Sequence, residues 1–176
     1  MIKLIPVSDS IELNHDLRQI YLDSFPPEER REWMEINKLL NHPNFRLNQI
    51  FNDLELIGLI SIWNLPDGDF IEHFAILESA RGKGFGELVL KLIIEDQSKR
   101  IILEVEEPET EPARRRIAFY KRLGFSISDE IYYQPPYPPN KSKVKMLLMS
   151  FPEQLNPNDF ANIKAQIYNE VYQTIE

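Results

Sequence analysis

The feature that most constrains this chain is Arg81-Gly82-Lys83-Gly84-Phe85-Gly86, which holds three of its six glycines. A strand pattern precedes the segment (Phe70 to Ile76) and a largely apolar helix pattern follows it (ELVLKLIIED, 87–96). Glycine permits positive φ and close approach, so such a turn can aim several backbone N–H groups at one anion. The start of the following helix adds its dipole, and Arg81 and Lys83 add formal charge. This is chemistry suited to a pyrophosphate. The plainer reading of the spacing is a glycine-rich turn with two solvated bases. A P-loop is excluded, because Gly-Lys-Ser/Thr is missing. A dinucleotide-binding βαβ unit is disfavoured, because the loop follows three strands of a meander and not the first strand.

The rest of the chain reads as one continuous series of elements. Residues 2–7 suit a strand, and a helix pattern starts at Asp9, with Leu13, Leu17, Ile20 and Tyr21 on one face. A second helix is expected over Glu28–Leu40, with Trp33, Ile36, Leu39 and Leu40 apolar. Period-two segments follow at 45–51, 54–63 and 70–76, separated by Asn52-Asp53 and Pro66-Asp67-Gly68-Asp69. The apolar helix at 87–96 reads as covered on most sides. Ile101–Val105 is a short buried strand. A helix from Pro112 to Leu123 has proline at its start and Gly124 past its end. Strands are expected over 125–133 and 144–150, with a proline-rich loop between them, and an amphipathic helix over 156–175 carrying Phe160, Ile163, Ile167 and Val171. The order β-α-α-β-β-β-α-β-α-β-β plus a terminal helix implies an α/β (α+β) domain on a mixed sheet.

Composition narrows the function. The chain of 176 residues lacks cysteine, which excludes disulfides, thiolate metal sites and cysteine nucleophiles. Its three histidines, at 15, 42 and 73, are too scattered to suggest a metal cluster, so no metal is expected. The longest apolar runs are about five residues, against roughly 18 for a membrane span. With no signal peptide pattern at the start, no membrane partner and a cytoplasmic location are expected. A net charge of −8 opposes nonspecific nucleic-acid binding and favours cationic partners.

Two segments resemble one family. Arg81-x-x-Gly84-x-Gly86, after a strand ending Phe74-Ala75-Ile76, is similar to the acetyl-CoA signature of the GNAT N-acetyltransferases. Ala118-Phe119-Tyr120-Lys121-Arg122-Leu123-Gly124-Phe125 resembles that family's later helix, whose tyrosine is often the general acid. The resemblance covers roughly residues 1–150. It implies the family's mixed, mainly antiparallel sheet flanked by helices, with 151–176 as a C-terminal helix packed on the same domain. It implies direct transfer of acetyl from acetyl-CoA, a co-substrate, to a primary amine or peptide amine in a ternary complex. Phe74, Ala75, Ile76, Arg81, Gly82, Lys83, Gly84, Phe85, Gly86 and Ala113 fall at its cofactor positions. Ala113 stands where the family often has asparagine, and one of Arg114, Arg115 and Arg116 is a substitute phosphate contact or part of a solvated basic face. A catalytically silent acyl-CoA-binding member of the fold is the alternative, and monomer and homodimer both stay open.

Acetylating an amine requires its neutral form. A lysine-like amine with a pKa of about 10.4 is neutral in roughly one molecule in 2,500 at pH 7, a handicap of about 4.6 kcal/mol. A general base offsets part of this. Glu72, Glu104 and His73 are the candidates, with Glu106 on Glu104's face but nearer the strand end. Glu72 shares Phe74's face, His73 points to the opposite one, and Glu104 lies in the strand where some relatives place a glutamate base. Burial is expected to raise the carboxyl's pKa toward neutrality. Tyr120 is expected to supply the leaving thiolate's proton, and backbone N–H groups of Phe74–Ile76 to steady the thioester oxygen. Tyr132, Tyr133 and Tyr137 among prolines 135, 136, 138 and 139 suit a cation-binding wall, a polyproline-type ligand or a packed loop.

Overall fold

Asn14 has an extended backbone and its side chain accepts the Leu17 N–H at 2.9 Å, so α1 (His15–Ser24) starts there and turns Leu17, Ile20 and Tyr21 inward. A computed structural model describes residues 1–8, 14–96, 99–137 and 142–174. The expected helix start at Asp9–Leu13 lies outside the described residues. Ahead of α1 comes β1 (Ile2–Pro6). After it come α2 (Trp33–Leu39), β2 (Phe45–Asn52), β3 (Glu55–Leu65), β4 (Gly68–Ile76), α3 (Phe85–Asp96) and β5 (Ile101–Glu106). Then follow α4 (Glu111–Arg122), β6 (Ser126–Ile127), β7 (Tyr132–Gln134), β8 (Val144–Phe151) and α5 (Pro157–Gln166). The strands form one sheet in the order β1-β2-β3-β4-β5-β8-β6, with β7 also on β8. β4 and β5 run parallel from Asp69↔Ile101 to Ile71↔Leu103. The β1–β2, β2–β3, β5–β8, β6–β8 and β7–β8 pairings are antiparallel. This is the mixed, mainly antiparallel sheet flanked by helices that the two motifs imply. No helix among the described residues is long and apolar enough to cross a membrane.

The chain divides into two compact units. Unit one is Met1–Trp63 with Glu72–Asp96. Its buried residues include Leu17, Ile20, Tyr21, Ile36, Leu59, Ile60, Trp63, Val89 and Leu90. Gly58 lies so close to β4 that a Cβ there would stand 2.2 Å from the Ala75 carbonyl oxygen, so only glycine allows this approach. Unit two is Asn64–Ile71 with Gln97–Glu176. Ile101, Ile102, Leu103, Leu148, Met149 and Ile163 are buried in it, and α5 seats Phe160 edge-on to Tyr132.

Four expectations need correction. Helix Glu28–Leu40 is instead a 3₁₀ turn at Pro27–Glu29 followed by α2, because Arg30 is extended (φ −138, ψ 157) and the Arg31 N–H is bonded to the Tyr21 hydroxyl at 2.9 Å. The strand over 125–133 breaks in two: the Ser128 N–H reaches the Leu148 carbonyl, and exposed Asp129 and Glu130 interrupt the alternation. The terminal helix changes to a π-helical turn at Ile167–Val171. Finally, α3 is not covered on most sides: Leu88 and Leu92, one turn apart, are 48% and 41% exposed.

Candidate active-site residues

Unit one holds the glycine loop. Gly82 and Gly84 have φ of +75 and +81, a region that side chains rarely adopt. A Cβ at either position would meet nothing within 4 Å, so the loop needs glycine for its backbone and leaves open space above it. The first intrahelical bond of α3 runs from the Leu88 N–H to the Gly84 carbonyl at 3.1 Å. The N–H groups of Phe85, Gly86 and Glu87 therefore precede the helix's own acceptors and carry its positive end. Lys83 and Arg81 are exposed. Arg81 Nε also donates to the Ile76 carbonyl at 2.9 Å, tying the loop to the end of β4. Phe74, Ala75 and Ile76 form that strand end, with Ala75 buried.

Glu72, on the same strand, has a wholly buried side chain. Its Oε1 accepts from Arg31 Nε and its Oε2 from the Trp63 indole, both at 2.8 Å. Burial is the largest influence and opposes ionisation, but Arg31, His73 and Trp63 together hold the carboxyl at about 2. The expectation of a raised pKa is thus overturned here: burial came with a buried cation. The lowered pKa makes Glu72 a weaker base than an ordinary carboxylate. His73 is also buried. Its Nε2 lies 3.4 Å from the Tyr21 hydroxyl and 3.3 Å from the Glu29 carbonyl, and its Nδ1 lies 3.4 Å from Ser61 Oγ. Although expected on opposite faces, Glu72 and His73 have polar atoms 3.7 Å apart. The two side chains fasten segment 29–31 to β4. Arg31 and Trp63 were not legible as their partners, since Arg31 sits in a charged run that reads as a helix start.

Unit two holds Tyr120 and Glu104. Thr110 caps α4 by accepting the Ala113 N–H at 3.2 Å, and Gly124 leaves the helix at φ +93. Ala113, Ile117 and Tyr120 form the buried stripe of α4 that their spacing implies. The Tyr120 ring packs on Phe119 and Phe125. Its hydroxyl makes no hydrogen bond to another described residue, and burial pushes it up to about 12 against a smaller opposing effect of Arg116. The three arginines are occupied within α4's own neighbourhood. Arg114 and Arg115 bond Glu111, and Arg116 reaches Glu106 at 2.6 Å. They read as a solvated, self-neutralised face. Glu107 pairs with Lys145 at 2.7 Å.

Glu104 accepts from three neutral side chains. Its Oε2 accepts from Gln134 Nε2 at 2.9 Å and from the Tyr172 hydroxyl at 2.8 Å, and its Oε1 accepts from the Tyr132 hydroxyl. Burial and the Glu104 charge push the Tyr132 hydroxyl well above its usual range, so Tyr132 is the donor. The tyrosine-rich loop is packed at this point: Tyr132 is buried and the Tyr137 ring lies tilted against Tyr172 at 5.1 Å, while Tyr133 is exposed. Pro138 and Pro139 lie outside the described residues. The sequence singled out Tyr132 as part of an unusual loop, but nothing in it pointed Tyr172 at Glu104.

Unit one thus presents a glycine loop at a helix start, and unit two a buried tyrosine on the inner face of α4. The model of the acetyltransferase (GNAT) family matches residues 14–125, and this chain belongs to that family. A structure from Bacteroides thetaiotaomicron, described as an acetyltransferase of the GNAT family, is 33% identical over 98% of this chain and 99% of that one, with a TM-score of 0.90. The ribosomal-protein-S18-alanine N-acetyltransferase of Escherichia coli is 16% identical, covering 89% of this chain and 96% of its own, with a TM-score of 0.63. A GNAT acetyltransferase of Elizabethkingia anophelis, solved with acetyl-CoA bound, is 17% identical, covering 85% and 96%, with a TM-score of 0.58. The last two show the shared fold. No curated protein matches the sequence.

Proposed function

We propose that the protein transfers acetyl directly from acetyl-CoA to a primary amine while both are bound. The observation that carries this reading is the Gly82–Gly84 turn, whose positive φ angles and open surroundings suit a pyrophosphate at the start of α3. Acetyl-CoA supplies the activated acetyl group. Phe85, Gly86 and Glu87 N–H groups, with Lys83 and Arg81, hold its phosphates. Ala113 offers only its methyl group, since its N–H is committed to Thr110. Backbone N–H groups of Phe74–Ile76 donate to the thioester oxygen as charge develops there. Glu104 accepts the amine's proton as the C–N bond forms, because bonding to the acyl carbon makes that nitrogen far more acidic. Tyr120 donates to the departing thiolate. Glu72, held near a pKa of 2, fastens segment 29–31 and leaves proton transfer to Glu104.

Acetyl-CoA at 100 times its dissociation constant is expected to stabilise the protein by about 2.7 kcal/mol, read as a rise in melting temperature. Gly84→Glu places a carboxylate in the loop and should abolish that rise. An unchanged melting temperature in the native chain, or an equal rise in the variant, sinks the reading. Stabilisation without turnover on any amine would instead favour a silent acyl-CoA-binding protein.

The acceptor is proposed to be cationic or to carry positive charge beside the reacting amine. The chain's net charge is −8. Glu72, Glu106 and Glu107 are each matched by a cation, and Glu104 is the carboxylate proposed as base. Spermidine, lysine amide, kanamycin, an alanine-initiated peptide and glutamate should be compared at low and high salt. Cationic amines should lead, with kcat/KM falling as salt rises. Preference for glutamate defeats this prediction and leaves the acetyltransfer intact.

A further inference from the structure

The carboxylate proposed as base is gripped from the far end of the chain. After α5 the backbone widens into the π-helical turn Ile167–Val171, closed by the Tyr172 N–H on the Ile167 carbonyl at 3.2 Å. Such single π turns recur at functional sites. This one carries two buried tyrosines with different partners. The Tyr168 hydroxyl donates to the Tyr133 carbonyl, and the Tyr172 hydroxyl donates to Glu104 Oε2 at 2.8 Å. Gln134 Nε2 completes a closed ring, donating both to Glu104 Oε2 and to the Tyr172 oxygen at 2.9 Å. Those two bonds fix the amide's orientation, since the reverse would set its oxygen against a carboxylate. They leave the buried Gln134 Oε1 without a hydrogen-bond partner among the described residues. Both N–H groups of the amide are thus spent on Glu104 and on its tyrosine donor. Tyr132, Gln134 and Tyr172 all lie beyond residues 14–125, where the family model matches.

Building on the assignment of Glu104 as base, we infer that Tyr172 is a positioning residue: with Gln134 and Tyr132 it fixes the rotamer of the Glu104 carboxylate. It touches no reacting atom. Its effect on turnover must therefore pass through Glu104, and that dependence is what a structural tyrosine lacks.

The test is a double-mutant cycle on the full chain, assayed with whichever amine of the panel above gives the highest kcat/KM. Tyr172→Phe keeps the ring and removes one hydroxyl. It should lower kcat about 10-fold with the KM for acetyl-CoA unchanged, and Tyr132→Phe should act in the same direction. Glu104→Gln should lower kcat by roughly 10²-fold or more. Added to Glu104→Gln, Tyr172→Phe should change kcat less than about twofold, because the group it serves is gone. Tyr168→Phe, which removes a hydroxyl from the same turn, should leave kcat as it is. Melting temperatures of the ligand-free variants give a second readout, and they too should be non-additive for Tyr172 and Glu104. If Glu104→Gln is impaired but Tyr172→Phe is fully active, or costs the same fold in both backgrounds, the positioning role is overturned and the base stands. If Glu104→Gln is fully active, the base assignment falls, and the positioning role falls with it.

Discussion

Tyr120→Phe is expected to lower turnover roughly 10²–10⁴-fold while acetyl-CoA affinity stays within about twofold. The phenylalanine ring keeps the packing on Phe119 and Phe125, so folding should survive. What disappears is a hydroxyl that makes no hydrogen bond to a described residue and sits at a pKa of about 12. That value also defines the manner of its action. A thiol's pKa is about 8.5, so complete transfer from Tyr120 to a thiolate would run about 3.5 units uphill, near 5 kcal/mol. In the proposed mechanism Tyr120 would therefore act by donating a strong hydrogen bond to the departing sulfur, with full protonation waiting for the proton released by the amine. Turnover, calorimetric acetyl-CoA affinity and a melting curve should be measured together. Near-native turnover in a folded Tyr120→Phe protein would show that the hydroxyl has no part in the reaction.

The second large effect is on stability. Arg31→Met should cost about 3–5 kcal/mol, because it leaves the Glu72 carboxylate charged and wholly buried without its guanidinium. For a chain of this length that is a fall of roughly 6–20 °C in melting temperature. The pair also sets an acid limit. Glu72 is lowered from 4.5 to about 2 in the folded state, so its contribution is complete above the unfolded value and is lost as pH falls from about 4.5 toward 2. The shift corresponds to on the order of 3 kcal/mol. Glu72→Gln should flatten the stability profile across that window. A melting temperature for Arg31→Met within 2 °C of the native value would mean that the pair contributes little.

Much of this was open to reading in the sequence because local rules sufficed. The α4 boundaries follow from Pro112 and Gly124, and the buried stripe Ala113-Ile117-Tyr120 follows from helical spacing. The positive φ angles at Gly82 and Gly84 follow from the need for glycine in a turn before a helix. What escaped notice depends on partners distant in the chain. Arg31 looks like part of a helix until Glu72, 41 residues later, draws its side chain inward. The lowered pKa of Glu72 could not be inferred from burial alone, since a single buried guanidinium reverses the sign of the shift. Tyr172 lies 68 residues from Glu104, and the π turn that delivers it has no compositional signal.

The placement of Tyr172 separates co-substrate binding from turnover. Loop 81–86 and Tyr120 lie far upstream in the sequence, while a donor to Glu104 arrives only with the residues that follow the π turn. If Tyr172 acts as inferred, a change confined to its hydroxyl leaves the acetyl-CoA loop intact and strips the orienting bond from the base. Such a protein would still take up acetyl-CoA yet turn over slowly. A single oxygen atom would thus separate an enzyme from a sink for its own co-substrate, with full ligand binding beside a reduced specific activity.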